Sequence, residues 1–289
     1  MTWQAYNSRT RHSPYSRGYP SPYIQPTNIV GAGGSGLLLP PVPSQLHAWY
    51  DFSDLNTLFQ NQAGTTPVTG AGQDVAYYAN KMGAAPDLVS LSASPPYPQL
   101  VAGPLGGTFA VEIDISLPSA TGAGGGFNSN TTGLCMAIAM RVTTLGTLPN
   151  TLFAYDHISW SVDDTIPDYV INAARTHETG GGLLVLLDGG VDVATNDYIA
   201  GYYSSNPALG SPAGDGFRYL APGPGAALID ALDGIILDVA AGTITIAAFA
   251  GVWVVELLEL LLYFRHLVPS EQALLATYFD TKFGALPHA

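Results

Sequence analysis

The chain has 289 residues, a length that suits one large all-β domain or two small domains. Only 11% of its residues are charged and 47% are apolar, against roughly 25% charged in ordinary globular domains, so a large core and further surface buried against other subunits are expected. The net charge of −13 is uneven: residues 1–50 hold Arg9, Arg11 and Arg17 and no acid, and the remainder holds 6 basic and 22 acidic residues, an acidic body that argues against nucleic acid as its partner.

Residues 1–44 carry seven prolines, with Trp3, Tyr6, Tyr15, Tyr19 and Tyr23 alternating with Arg9, Arg11 and Arg17. No helical or strand period survives so many prolines. The segment reads as an extended attachment arm that lies on a partner or a sister subunit. Gly31 to Gly36 matches G-x-G-x-x-G, with Asp51 placed where a ribose-binding acid could stand. Pro40, Pro41 and Pro43 would stop the helix that a dinucleotide site needs, so the stretch reads as a hinge between arm and body. The apolar stretch of a secretory signal is missing from the N-terminus.

The body from residue 45 onward reads as a run of strands separated by Gly- and Pro-rich turns. Expected strands are 108–117, 133–142, 152–155, 169–174, 183–188, 234–239, 243–249 and 252–264, and expected turns include 121–126 and 221–225. Several of these strands are apolar throughout, as in a two-sheet sandwich whose outer side is also covered. The single Cys135 lies in such a run and reads as a buried thiol. The longest apolar run, 252–264, is interrupted by Glu256 and Glu259 and falls short of the ~20 residues that span a bilayer, so no membrane insertion is expected.

Among groups able to carry chemistry, Tyr198, Tyr202 and Tyr203, with Asn196 and Asn206, form an aromatic and amide cluster in what reads as a loop. It suits either a sugar or a protein interface. Asp188 and Asp192, with Asn196 and Asp197, offer oxygen ligands to calcium from an acidic turn, although their spacing is not that of an EF-hand. The histidines show no metal-binding spacing, no G-x-S-x-G elbow marks a nucleophile, and neither a cofactor nor a resident metal is expected.

The expected helix is 269–283. Proline suits its first turn, Glu271 favours its N-terminus, and Leu274, Leu275, Tyr278 and Phe279 make an apolar face. Gly284 is placed to stop it. Val268 stands where a side-chain cap would be, so that cap is missing.

The opening segment LHAWYDFSDLNTL carries Leu46, Trp49, Asp51, Ser53, Asp54, Thr57 and Leu58. The closing segment carries Glu259, Leu260, Leu261, Tyr263, Arg265, Leu267, Glu271, Lys282, Phe283 and Gly284. Together with the central stretch 132–146, these resemble the start, finish and middle strand of concanavalin-like (laminin-G-like) jelly-roll modules of bacteriophage structural proteins. The resemblance covers about residues 45–286 and implies an all-β, concanavalin-like jelly-roll β-sandwich, residues 45–289, with one C-terminal α-helix and an extended N-terminal arm, residues 1–44. It also implies a non-enzymatic structural protein of a tailed-phage or phage-like particle: a head decoration, fibre or tail-associated protein of the virion. Its arm would bind other particle proteins, and the body would form a homo-oligomer, with a trimer favoured. The alternative is a carbohydrate-binding adhesin that recognises host surface glycan. Laminarinase-type glycosidases share the fold and place carboxylates along one strand. Here Glu112 and Asp114 have that spacing, but Ser116 and Leu117 stand where the proton donor would be, which argues against hydrolysis.

Overall fold

The computed structural model describes residues 38–82, 87–105, 107–114, 120–128, 134–144, 150–155, 158–163, 170–176, 183–192, 198–205, 216–219, 229–230, 238–246 and 254–283. The chain divides into Met1–Leu38 and Leu39–Ala289. The expectations for residues 1–37, with their arginines, aromatics and Gly-rich hinge, lie outside the described residues.

In chain order the strands are β1 (Leu46–Asp51), β2 (Leu58–Phe59), β3 (Tyr77–Tyr78), β4 (Leu88–Ser90), β5 (Gln99–Ala102), β6 (Phe109–Asp114), β7 (Ala120–Asn128), β8 (Leu134–Thr144) and β9 (Asn150–Tyr155). They continue with β10 (Ile158–Asp163), β11 (Val170–Thr176), β12 (Leu183–Asp192), β13 (Tyr198–Ser205), β14 (Gly216–Tyr219), β15 (Ile229–Asp230), β16 (Asp238–Ile246) and β17 (Val254–Tyr263). The chain then forms α1 (Pro269–Phe283), the one α-helix among the described residues.

The strands make two antiparallel sheets. The first runs β15-β14-β13-β8-β17-β6-β5, with β1 also paired to β17; the second runs β12-β11-β10-β9-β16-β7-β4-β3-β2. The chain passes repeatedly from one sheet to the other, at β1 to β2, β4 to β5, β6 to β7, β7 to β8, β8 to β9, β12 to β13, β15 to β16 and β16 to β17. This is an all-β sandwich with a C-terminal helix, as the sequence leads one to expect.

Strand β17 is the axis of the first sheet. It pairs with β8 along one edge; along the other, its first half pairs with β6 and its second half with β1. The register sorts side chains by face. Val111, Ile113, Met136, Ile138, Met140, Val255, Leu257, Leu260 and Leu262 fall on the inner face and are all buried. Ala137 and Ala139 alternate with the larger residues of β8 and fall on the outer face, the side that α1 covers. The stretch from Cys135 to Met140 is apolar throughout because both of its faces are covered, one by the opposite sheet and one by the helix. Cys135 is buried, as read from the sequence.

Four expectations are corrected. The stretch 121–126 is part of β7, not a turn; its glycines carry no strand pattern of their own, and pairing with β16 and β4 makes it extended. Tyr198, Tyr202 and Tyr203 lie in β13, paired along its length with β8, not in a loop. Residues 243–249 and the end of 234–239 belong to one strand, β16, within the described range. Asp188 and Asp192 lie at paired positions of β12, where the intervening Gly-Gly-Val is absorbed as a bulge. Asn196, Asn206, Asp197, Gly284 and the turn at 221–225 lie outside the described residues.

Candidate functional site

The motif residues of the opening and closing segments meet on the outer face of the first sheet. Strands β1 and β17 place Asp51 opposite Glu259 and Trp49 opposite Leu261. Asn80 and Lys81 bond to the backbone of β1, Asn80 Oδ1 accepting from the Trp49 N–H at 2.9 Å and the Lys81 N–H donating to the Trp49 carbonyl at 3.0 Å. This backbone pairing holds the Lys81 ammonium 4.2 Å from the Trp49 ring centroid. From above, α1 contributes Tyr278 and Lys282.

Glu259 is fully buried. One of its oxygens, Oε1, accepts from the Trp49 indole, from the Tyr278 hydroxyl at 2.6 Å and from Lys282 Nζ at 2.9 Å. Lys282 also pairs with Asp51 at 2.8 Å, and Lys81 pairs with Asp51 at 3.1 Å and with Asp54 at 2.8 Å. Asp51 further accepts the Ser53 hydroxyl at 2.6 Å. Thr57 donates its hydroxyl to the carbonyls of Asp51 and Asp54, and the Asp54 side chain accepts from the Asn56 N–H at the short turn Leu55–Thr57. Three carboxylates and two ammonium groups therefore tie the first strand, the last strand, the residue 80–81 loop and the helix into one clasp.

The two central acids respond in opposite ways. Burial alone would raise Asp51, but the charges of Lys282 and Lys81 and the bonds from Lys282 and Ser53 hold it below the ordinary aspartate value. Burial pushes Glu259 up; Lys282 opposes the rise, and the neighbouring charge of Asp51 adds to it. Burial, and then the charge of Glu259, raise the Tyr278 hydroxyl well above its usual range, so it stays a donor.

The helix closes over this cluster through Leu275, Tyr278, Phe279 and Phe283, all buried. Leu274, expected on the same face, is 48% exposed: in a 3.6-residue period the buried stripe runs through 275, 278, 279 and 282–283 and leaves 274 outside. The cap missing at Val268 is partly replaced. Glu271 Oε2 accepts from the Val268 N–H at 3.0 Å, the half of a capping box that does not need a hydroxyl, and its Oε1 pairs with Arg265 at 2.8 Å. His47 stacks on Phe264 with centroids 3.6 Å apart, and the Tyr263 hydroxyl donates to the Pro41 carbonyl at 2.8 Å.

One pleat away, a second set of charges occupies the same face. The pairing of β17 with β8 slips between Leu257 and Glu259, so Leu258 is an extra residue and Glu256 and Glu259 face the same way. The same slip puts Leu258 outside the alternation that carries Leu260 and Leu262 on one face. Glu256 stands opposite Glu112 on β6 and opposite Arg141 on β8. It is buried and ion-paired to Arg141, whose side chain is 25% exposed. The register extends this row to Gln99 on β5 and to the position of Tyr198 on β13. Thus Glu112, read as a strand carboxylate, stands beside a second carboxylate from the adjacent strand; Asp114 lies two ladder positions further along β6, opposite Val254.

Sequence reasoning named Trp49, Asp51, Glu259 and Lys282 as motif positions but not as mutual partners, and it missed Lys81, Arg141 and Glu256 as participants. Two acids inside the apolar run of β17 were the available signal, since a buried carboxylate demands a cation. Among the described residues no group of three or more His, Cys, Asp or Glu could hold a metal ion, and no helix is long and apolar enough to cross a membrane.

The arrangement defines a β-sandwich module, and solved structures share its fold. The chain is similar to the binding domain of Paraclostridial Mosquitocidal Protein 1, with 10% identity and a TM-score of 0.53, over 82% of this chain and 52% of that one. It is also similar to a GH54 α-L-arabinofuranosidase soaked with a cyclic sulfate inhibitor, with 9% identity and a TM-score of 0.52, over 83% of this chain and 62% of that one. The chain thus spans between half and two thirds of either structure. No family model matches it, and no curated protein does.

Proposed function

We propose that the protein is a non-enzymatic structural component of a tailed-phage or phage-like particle, carried in the virion, with residues 1–44 as its attachment arm and the sandwich as the displayed body. The observation that carries this reading is the clasp. The residues through which the chain resembles phage jelly-roll modules are spent on joining the first strand to the last strand and the helix. Trp49, Asp51, Glu259 and Lys282 hold one another and are not arranged around an open space, so the motif serves architecture and not turnover. The body self-associates, as a trimer, because so few charges leave apolar surface to be covered. The test is incorporation: a chain lacking residues 1–40 remains soluble and folded but no longer enters the particle. Incorporation at the full-length level would overturn the attachment role. Light scattering of the purified protein at micromolar concentration checks self-association, and a strictly monomeric mass would refute it.

The second reading is a carbohydrate-binding adhesin. Two features favour it: the fold likeness to a toxin binding domain and to a sugar-cleaving enzyme, and a charged row on a sheet face beside the clasp. The two readings are compatible on one particle. A glycan array separates a purely structural protein, which binds nothing there, from an adhesin.

A further inference from the structure

Lys282 Nζ stands between two buried carboxyl groups, 2.8 Å from Asp51 Oδ2 and 2.9 Å from Glu259 Oε1. The ring centroids of Trp49, Tyr278 and Phe283 lie within 5.7 Å of the same nitrogen, and little of the Lys282 side chain reaches solvent. The two oxygens of Asp51 are sorted by their donors. Oδ1 accepts the Ser53 N–H at 3.2 Å and the Ser53 hydroxyl at 2.6 Å. Oδ2 faces both ammonium groups, Lys282 at 2.8 Å and Lys81 at 3.1 Å. An ion pair needs no such division. An acyl carbon under attack does: fixed donors hold the oxygen that becomes an oxyanion, and proton donors face the oxygen that leaves.

We propose that Lys282 and Asp51 join in an intramolecular amide bond, formed by the protein itself once the helix has closed on β1, with Glu259 as the proton carrier. Lys282 Nζ bonds to the Asp51 carboxyl carbon, and the bond from that carbon to Oδ2 breaks. Two protons of the ammonium leave with Oδ2 as water, and the third stays on the amide nitrogen. One carboxylate and one ammonium thus become one amide and one water, with no oxidant and no change in net charge. Glu259 stands opposite Asp51 across the β1–β17 pair. Its Oε1 takes a proton from Nζ, which frees the amine's electron pair, and passes it to Oδ2. Burial raises Glu259, so it can hold that proton between the two steps. The two lysines keep Asp51 ionised beforehand, and the transfer discharges it. The carboxyl carbon lies one bond beyond an oxygen that Nζ already touches, close to the near-attack range of about 3–3.5 Å. Effective molarities of roughly 10⁵–10⁸ M for groups so aligned offset the preference of water for the free acid and amine. The amide also removes a buried ion pair, whose desolvation is costly. The ion-paired clasp, with its response to pH, is the reactant state. The reaction happens once per chain and serves the joint, whatever the body binds.

The test is the intact mass of the full-length protein, freshly purified and again after prolonged incubation at neutral pH. The expected mass is lower than the sequence mass by one water, and a protease digest should yield one peptide pair joined through Asp51 and Lys282. Lys282→Arg, which keeps the positive charge, should retain its full mass. Glu259→Gln should form the bond roughly a hundredfold more slowly. A parent protein at its full sequence mass after incubation overturns the proposal, and that result needs no variant to fold. Water lost equally in Lys282→Arg, or a joined pair that carries Lys81, overturns the assignment to Lys282. Bond formation at the parent rate in Glu259→Gln overturns the role of Glu259.

Discussion

Glu259 and Glu256 stand on the same strand and the same face of one sheet, yet their surroundings differ completely. Glu259 lies under the helix, and three donors converge on one of its oxygens. Glu256 lies in the next row, held by a single arginine that solvent partly reaches. The lesson is that a buried carboxylate takes its role from what covers it. Beneath a helix that brings Lys282 and Tyr278, it becomes a joint. Beside an arginine that solvent partly reaches, it remains one half of a single ion pair.

The largest effect that can test this contrast is Glu259→Ala. It strands Lys282, the Trp49 indole and the Tyr278 hydroxyl in a dry site, and should cost about 3–5 kcal/mol in urea unfolding. Glu256→Ala should cost less, about 1–3 kcal/mol, because Arg141 can turn to water. Equal losses at the two positions would break the comparison. Next comes the helix that makes the difference. Phe279→Ala should cost about 3–5 kcal/mol, whereas Leu274→Ala, at a half-exposed site, should stay within about 0.5 kcal/mol. Unchanged thermal stability in Phe279→Ala would mean that the helix does not seal the clasp.

A smaller effect is the pH profile. Asp51 is held below its ordinary value, so its contribution is present above that value and is lost as pH falls through the lowered one. Glu259 is raised, so its contribution is full below the ordinary glutamate value and fades as pH climbs through the raised one. Stability should therefore carry an acid limb from Asp51 and an opposite limb from Glu259. Glu259→Gln should flatten only the second, measured by melting temperature against pH. The smallest expected effect is none: the protein should release no reducing sugar from β-glucans, and Glu112→Gln and Asp114→Asn should leave that unchanged. Release that disappears in Glu112→Gln would make the row catalytic.

The ends of the sandwich were legible in the sequence because they depend on local signals. Pro269, Glu271 and the apolar spacing of Leu275 and Phe279 specify a helix at its observed bounds. The apolar strands β8 and β17 announce themselves by composition. The clasp was legible only as positions, since nothing local says that Trp49 will donate to Glu259, 210 residues away. Strand β7 was illegible because glycine has no side chain to alternate. Strand β13 was misread because Tyr, Ser and Asn suit a loop as well as a strand. The pairing of Glu256 with Arg141 depends on a one-residue slip in β17, and a periodic reading of that strand places its leucines on the wrong face.

The pairing of β1 with β17 has a consequence during synthesis. The first strand leaves the ribosome long before the partner that completes its sheet, and at about 5–20 residues per second the wait is on the order of 10–40 seconds. Throughout that interval Trp49 and Asp51 have neither Glu259 nor Lys282, and β6 and β8 lack the strand that separates them. The nascent first sheet is thus an open seam until β17 and α1 have emerged, which makes this half of the sandwich the one most exposed to mispairing during synthesis.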